Sequence, residues 1–261
     1  MSTLLEIKNV SISFGGVQAV RDVSLSIPEG VVFSIIGPNG AGKTTLFNII
    51  SGLYVPQAGA VKLRGADIIG KRPDLLARNG LSRTFQNLQI FTQMSAIENV
   101  MVGRHIHERT STVAQLFSLP NVLRENRESR AAATKLLTYV GLEKYIDSMA
   151  SAMPYGALKR LEIARALATD PKIILLDEPA AGCNATETAD VEQLIRRIAD
   201  TGVTVLLIEH DMKLIMRISD RIHVMDQGES ICEGSAQEVQ HDERVIAAYL
   251  GNHGAREAAD A

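Results

Sequence analysis

Three observations predict an α/β protein. Apolar runs of strand length, VVFSII at 31–36, IILLD at 173–177 and VTVLLI at 203–208, end in glycine-rich or acidic and histidine-bearing loops. The first of them is followed by a glycine loop and then by TTLFNIISGL at helical spacing, the opening of an α/β unit. Between about 87 and 156 the strand runs vanish and helical patterns take over, which reads as an inserted helical subdomain.

Taken in order, LLEIKNVSISF and QAVRDVSLSI both alternate and are separated by Gly15-Gly16, so the chain is expected to open as antiparallel strands joined by a tight turn. The strand at 31–36, the glycine loop and a helix follow, and then a short β-rich stretch, AVKLRGADI at 60–68. SAIENVMVG and RESRAAATKLLTYVGL supply the helical segment. Residues 152–167, AMPYGALKRLEIARAL, are a Pro-Tyr-Gly turn running into a helix. Its Lys159, Arg160, Glu162 and Arg165 are expected on one side, and Leu158, Leu161, Ala164 and Leu167 on the other. DRIHVMDQGESICEG reads as a hairpin turning at Gln227-Gly228. Parallel strands buried on both faces, with polar residues at their carboxyl ends, are where open α/β sheets hold ligands.

Bulk properties bound the function. The chain has 261 residues, 46% of them hydrophobic and 22% charged, enough for a sizeable core in one large domain or a domain with a subdomain. A net charge of −3 argues against nucleic acid as the partner. Cys183 and Cys232 are too few for a disulfide framework and are expected as reduced thiols. No apolar run reaches the ~18 residues of a membrane span. Glu6 and Lys8 interrupt the only stretch that could serve as a leader, so no signal peptide is expected and the chain would stay in the cytosol unless a membrane partner holds it. The small polar residues of 251–261 are expected to be a flexible tail.

GPNGAGKT at 37–44 fits G-x-x-x-x-G-K-[ST] and has the required strand before it and helix after it. Gly37, Gly40 and Gly42 let the backbone curl so that N–H groups point at phosphate oxygens, and the helix N-terminus adds a favourable partial charge. Lys43 is expected at the β- and γ-phosphates, and the Thr44 hydroxyl on Mg²⁺. Pro38, Asn39, Ala41 and Thr45 complete the predicted nucleotide contacts. The second element is IILLDEP: Asp177 ends an apolar strand, where a carboxylate is costly unless it serves a Mg²⁺, and Glu178 beside it can take a proton from an attacking water.

With these motifs the chain resembles the ATP-binding cassette (ABC) ATPases over roughly residues 4–250. Walker A at 37–44, Gln86 in RTFQ, the turn before RLEIARAL, IILLDEP and His210 in LLIEHDM occur in the family's order. The resemblance is closer still to the ATPases of branched-chain amino acid importers, through FGGVQAV, GLSRTFQNLQIF, DEPAAG, IEHDMKLIMRISDRI and AYLG. It implies a P-loop cassette with a RecA-like core, an N-terminal antiparallel β subdomain and an inserted helical subdomain, all in one ATP-binding domain over 1–250.

The resemblance also implies roles. Phe14 would stack on adenine. Gln86 would help ligate Mg²⁺, sense the γ-phosphate and mark the surface that meets the membrane subunit. His210 would contact the γ-phosphate and steady the water. Two cassettes would pair head to tail, with Tyr155 and Gly156 of one covering the ATP on the other and Asn184 at the seam. The catalytic set is then Glu178, His210, Gln86 and Lys43, with Thr44, Gln86 and Asp177 for the metal. The partners implied are a second cassette, two integral-membrane permeases and, indirectly, an extracytoplasmic solute-binding protein, with no nucleic acid. The expected place is the cytoplasmic face of the inner membrane, held peripherally.

Four positions depart from the subfamily pattern. Ala157 and Leu158 stand where Gln-Gln is expected, Cys183 where Leu is and Ala185 where Pro is. Two missing amides near the γ-phosphate would weaken ATP-driven closure by about 1 kcal/mol each if they bonded as neutral groups. The alternatives are a cassette for urea, short amides, other amino acids or lipopolysaccharide export, or a hydrolysis-poor regulatory subunit. A soluble ABC ATPase working on DNA or in translation lacks the second cassette, coiled-coil insertion and basic patch it would need.

Overall fold

The computed structural model describes residues 2–107 and 120–249. The predicted tail at 251–261 lies outside the described residues. The amino end folds as expected: β1 (Thr3–Phe14) and β2 (Val17–Pro28) pair antiparallel across Gly15-Gly16, both at positive φ. β4 (Ala58–Leu63) and β5 (Ala66–Asp67) complete a four-stranded antiparallel sheet in the order β2-β1-β4-β5.

The second sheet has six strands in the order β10-β9-β3-β8-β7-β6. β3 (Val32–Ile36), β6 (Leu81–Arg83), β7 (Ile173–Asp177), β8 (Thr204–Ile208) and β9 (Arg221–Asp226) run parallel. β10 (Glu229–Gly234) returns antiparallel through the predicted turn, with Gln227 at φ 46° and Gly228 at φ 84°. The continuous apolar runs have a direct cause. In β7, Ile173 and Leu175 pack on one core and Ile174 and Leu176 on another, because neighbouring side chains point to opposite faces of a sheet covered on both sides.

Phe33, Ile35 and their strand neighbours face α1 (Lys43–Ile50) and the antiparallel sheet. The opposite face meets α3 (Ala96–Arg104), α4 (Pro120–Tyr139), α5 (Tyr155–Leu167) and α6 (Ala185–Asp200). The helical segment therefore shares a core with the sheet: Ile97, Val100 and Leu137 belong to the same buried cluster as Ile174 and Val205. A capping box at Ser95 and Glu98 starts α3, and Gly103 lets it approach α5 closely, since a Cβ there would sit 2.3 Å from the Arg165 carbonyl oxygen. A third cluster joins Ile36, Ile222 and Val224 to α7 (Met212–Ile218) and α8 (Ala236–His241).

Five elements were not anticipated from the sequence. The short α2 (Pro73–Arg78), edge strand β6, α7 and α8 offer too few residues for a periodicity signal, whereas α6 carries one, with Val191, Leu194, Ile195 and Ile198 buried on one face, that was passed over. One expectation is corrected. The polar side expected of α5 is not solvated, because Lys159 and Glu162 are buried along with Ala157, Leu161, Ile163 and Ala164. A helix packed on nearly all sides has no polar face for solvent, and its charges find partners inside the protein.

Candidate functional site

The loop between β3 and α1 carries its glycines where no other residue fits. Gly37 has φ 149°, and a Cβ there would lie 2.0 Å from the Met225 carbonyl oxygen. Gly42, in the left-handed region, is the N-cap of α1, and no side chain caps that helix. Its first N–H groups are natural donors to an anion. Lys43 is buried, and its ammonium donates to the carbonyls of Gly37 at 2.6 Å and Pro38 at 2.9 Å. Burial lowers its pKa, and the nearby Glu178 charge works against that shift.

This loop floors a cleft of about 480 Å³. Asn39, Gly40, Ala41, Gly42, Lys43, Thr44 and Thr45 line one side, and Gln86, Glu178 and His210 the other. Those last three come from loops after three different strands, which the parallel order β8-β7-β6 sets side by side. Glu178 is their centre. Its Oε1 lies 2.7 Å from His210 Nε2, and Gln86 Nε2 donates to both carboxylate oxygens at 3.2 Å. Glu178 is held at φ 51°, costly for a residue with a Cβ, by its own N–H to the Ile208 carbonyl at 2.9 Å and by Lys159 Nζ to its carbonyl at 3.2 Å.

Other predicted residues stand elsewhere. Phe14 does not line the cleft. It is exposed and packs edge-on against Tyr54, ring centroids 5.2 Å apart, so the wall on that side is Val17, Gln18 and Ala19. Asp177 is not in the lining either: it is buried and accepts from Arg83 Nη2 at 2.9 Å. Gly37 and Pro38 stand behind the cleft as acceptors for Lys43. Tyr155 and Gly156 are outside their own chain's cleft, with Tyr155 exposed at the start of α5, whose N-terminus no side chain caps. Asn184 caps α6, accepting from the Thr186 and Glu187 N–H groups at 3.0 Å.

The departure at 157 has a structural setting. Ala157 is buried in the helical core, so its side chain reaches no surface, and Leu158 packs partly on the same core. Cys183 is a half-buried free thiol, raised in pKa by burial.

Sequence reading missed three supporting residues. Arg83 ties Asp177 to Asn48 at 2.7 Å and Ser51 at 2.6 Å. Glu209, buried beside His210, accepts from the N–H of Ala180 and of His210, both at 2.9 Å, and so clamps the loop after β7 to the loop after β8. Lys159 holds the Glu178 carbonyl. Their only sequence signal is a charge adjoining a strand end or inside a helix, common on any surface, and only burial distinguishes them.

A phosphate loop at the carboxyl edge of a parallel sheet, facing a carboxylate bracketed by a glutamine and a histidine, defines a P-loop ATPase. The chain belongs to the ABC transporter family, whose model matches residues 20–181, and a second model, for branched-chain amino acid ATP-binding cassette transporters, matches 229–255. It is 45% identical to the high-affinity branched-chain amino acid transport ATP-binding protein BraF of Pseudomonas aeruginosa, over 95% of this chain and 98% of that one. It is 41% identical to the corresponding protein LivG of Escherichia coli K12, over the same shares. Among solved structures, an ABC transporter cassette in its ADP conformation superposes with TM-score 0.83 at 34% identity, covering 96% of this chain and 100% of that one. A dimeric post-hydrolysis cassette bound to ADP and Pi gives TM-score 0.74 at 27% identity, covering 89% of this chain and 99% of that one.

Proposed function

We propose that this chain is the ATP-hydrolysing subunit of an importer for branched-chain or similar hydrophobic amino acids. The observation that supports hydrolysis is the convergence of Gln86 and His210 on Glu178 at the mouth of the phosphate-loop cleft. The solute class follows from the relatives' names at 41–45% identity over almost the whole chain. No described helix is long and apolar enough to cross a membrane. The partners in this reading are two permease subunits, a second cassette and an extracytoplasmic binding protein that delivers the solute. The chain would sit peripherally on the cytoplasmic face of the inner membrane.

The loop N–H groups and Lys43 receive the triphosphate, Lys43 exchanging its two backbone carbonyls for phosphate oxygens. A Mg²⁺ bound with the nucleotide would be held by Thr44 and Gln86, would neutralise phosphate charge, and would leave Asp177 to act through its ion pair with Arg83. The donor set fits: Thr44 and Gln86 both line the cleft and offer oxygen donors, and Mg²⁺ commonly takes few protein ligands beside phosphate oxygens and water. Glu178 accepts the proton of a water whose oxygen attacks the γ-phosphorus, the bond to the bridging oxygen breaks, and ADP leaves with that electron pair. His210 and Gln86 hold the Glu178 carboxylate and the water in line. Tyr155, Gly156 and the uncapped start of α5 would close over the ATP of a second cassette, so ATP binding favours the paired state by its differential affinity. Hydrolysis then releases it.

The test is gentle affinity purification of the tagged chain from native membranes, with mass spectrometry of what accompanies it. Two permeases, a second cassette and a binding protein that takes leucine, isoleucine or valine are expected. A binding protein selective for urea or an amide would replace the solute, and recovery of the chain alone would remove transport.

A further inference from the structure

We propose that Glu162 is a positioning residue for ATP hydrolysis, which clamps the loop carrying Gln86 and so sets Gln86 against Glu178. The inference rests on the roles proposed above for those two residues. Glu162 lies on α5 and is only 3% exposed. A single oxygen, Oε1, faces the N–H of Phe85 at 3.5 Å and the N–H of Gln89 at 3.4 Å. These donors bracket Gln86, so one carboxylate spans the segment whose side chain reaches the Glu178 carboxylate. Burying a carboxylate is costly: desolvation raises its pKa, and the two N–H groups, then Lys159 and Arg165, only partly offset that. A carboxylate kept at such a cost calls for a function.

The same helix grips the other member of the pair. Lys159, one turn earlier, donates to the Glu178 carbonyl, and Arg165, one turn later, lies over the Phe91 ring at 5.4 Å. One face of α5 thus holds both the base and the glutamine opposite it, and the helix begins at Tyr155 and Gly156. Any shift of that turn is carried by a rigid helix to the chain's own hydrolytic pair. In this way α5 links the turn that would meet the neighbouring cassette's ATP to the chemistry on its own.

The test uses Glu162→Met, which fills the volume and removes Oε1, and Glu162→Gln, which keeps that acceptor. Turnover of the full chain, ATP KM, nucleotide binding and thermal unfolding are measured for each, alone and with Gln86→Ala. E162M is expected to lower kcat by about tenfold or more, with ATP binding within about twofold, as small misplacements of catalytic groups do. E162Q is expected to recover most of that loss. In the Gln86→Ala background, E162M should cost little more, because its effect runs through Gln86. Equal losses in both backgrounds, or wild-type turnover in E162M, would overturn the proposal while leaving the hydrolytic reading standing. Wild-type turnover in Gln86→Ala alone would instead remove the role of Gln86, and this inference with it.

Discussion

At the residue scale the site is held by buried charges, each with a fixed partner. Arg83 and Asp177 pair at 2.9 Å with side chains 7% and 4% exposed. The guanidinium also reaches Asn48 and Ser51 and lies over Phe47 and Phe85. Removing one partner strands the other in low dielectric. Arg83→Met is therefore expected to destabilise the fold by about 3–5 kcal/mol, read by urea unfolding. Arg83→Met with Asp177→Asn should recover much of it, since the stranded charge is gone. Glu162 gives a sign test. Its folded pKa is raised, so the native state binds the proton more tightly than the unfolded chain, and this group's contribution falls as pH rises from 4.5 towards the folded value. Glu162→Gln should make stability less dependent on pH across that window. Glu178 and His210 were legible at this scale because an acidic pair and a histidine end two apolar strands. Arg83 and Glu209 were not, because a strand-end charge looks alike whether buried or solvated.

Elements add what single residues lack, a direction. The strand–loop–helix at 32–50 was readable because glycine spacing, an apolar run and helical periodicity coincide. Helix α5 was readable in extent and misread in orientation, because Lys159 and Glu162 follow helical spacing and yet are buried. Helix α6 starts at a residue for which a second role is proposed. Asn184 and Glu187 form a reciprocal capping box, with Asn184 N–H to Glu187 Oε2 at 3.0 Å. Asn184→Ala should cost about 1 kcal/mol of stability, measured by denaturant unfolding. Asn184→Ser keeps a capping oxygen and should restore stability. If its ATPase rate stays depressed, Asn184 also touches the second cassette, and if both return together, it is a cap and nothing more.

For the whole molecule, the proposed pairing of two cassettes makes the cleft half a site. Tyr155 and Gly156, assigned there to a neighbour's ATP, lie outside their own chain's cleft. A cassette solved as a dimer with ADP and Pi superposes on this chain at TM-score 0.74. Glu178→Gln keeps the size of residue 178 and one acceptor oxygen, gives up one of the two bonds from Gln86, and removes its basicity. Turnover should fall by about 100-fold or more, the range for loss of a general base. With Mg-ATP the variant should elute from size exclusion as a dimer and return to monomer with ADP. A variant that hydrolyses at the wild-type rate would sink the assignment of Glu178 as the base.

The amino-acid sequence by itself determined the fold class and the phosphate loop and singled out Glu178 and His210 as candidates, because each rests on local chemistry: glycines that alone tolerate the loop, and polar groups that end apolar strands. Gln86 entered only through the family resemblance. Tertiary structure alone decided which charges are buried, that Phe14 packs on Tyr54 rather than facing the cleft, that Asp177 belongs to Arg83, and that Ala157 points into the core. The reason is range. Partners such as Arg83 and Asp177, or Glu162 and the Gln86 loop, lie 94 and more than 70 residues apart in the chain, and only the closing of the sheet and the packing of α5 bring them within bonding distance.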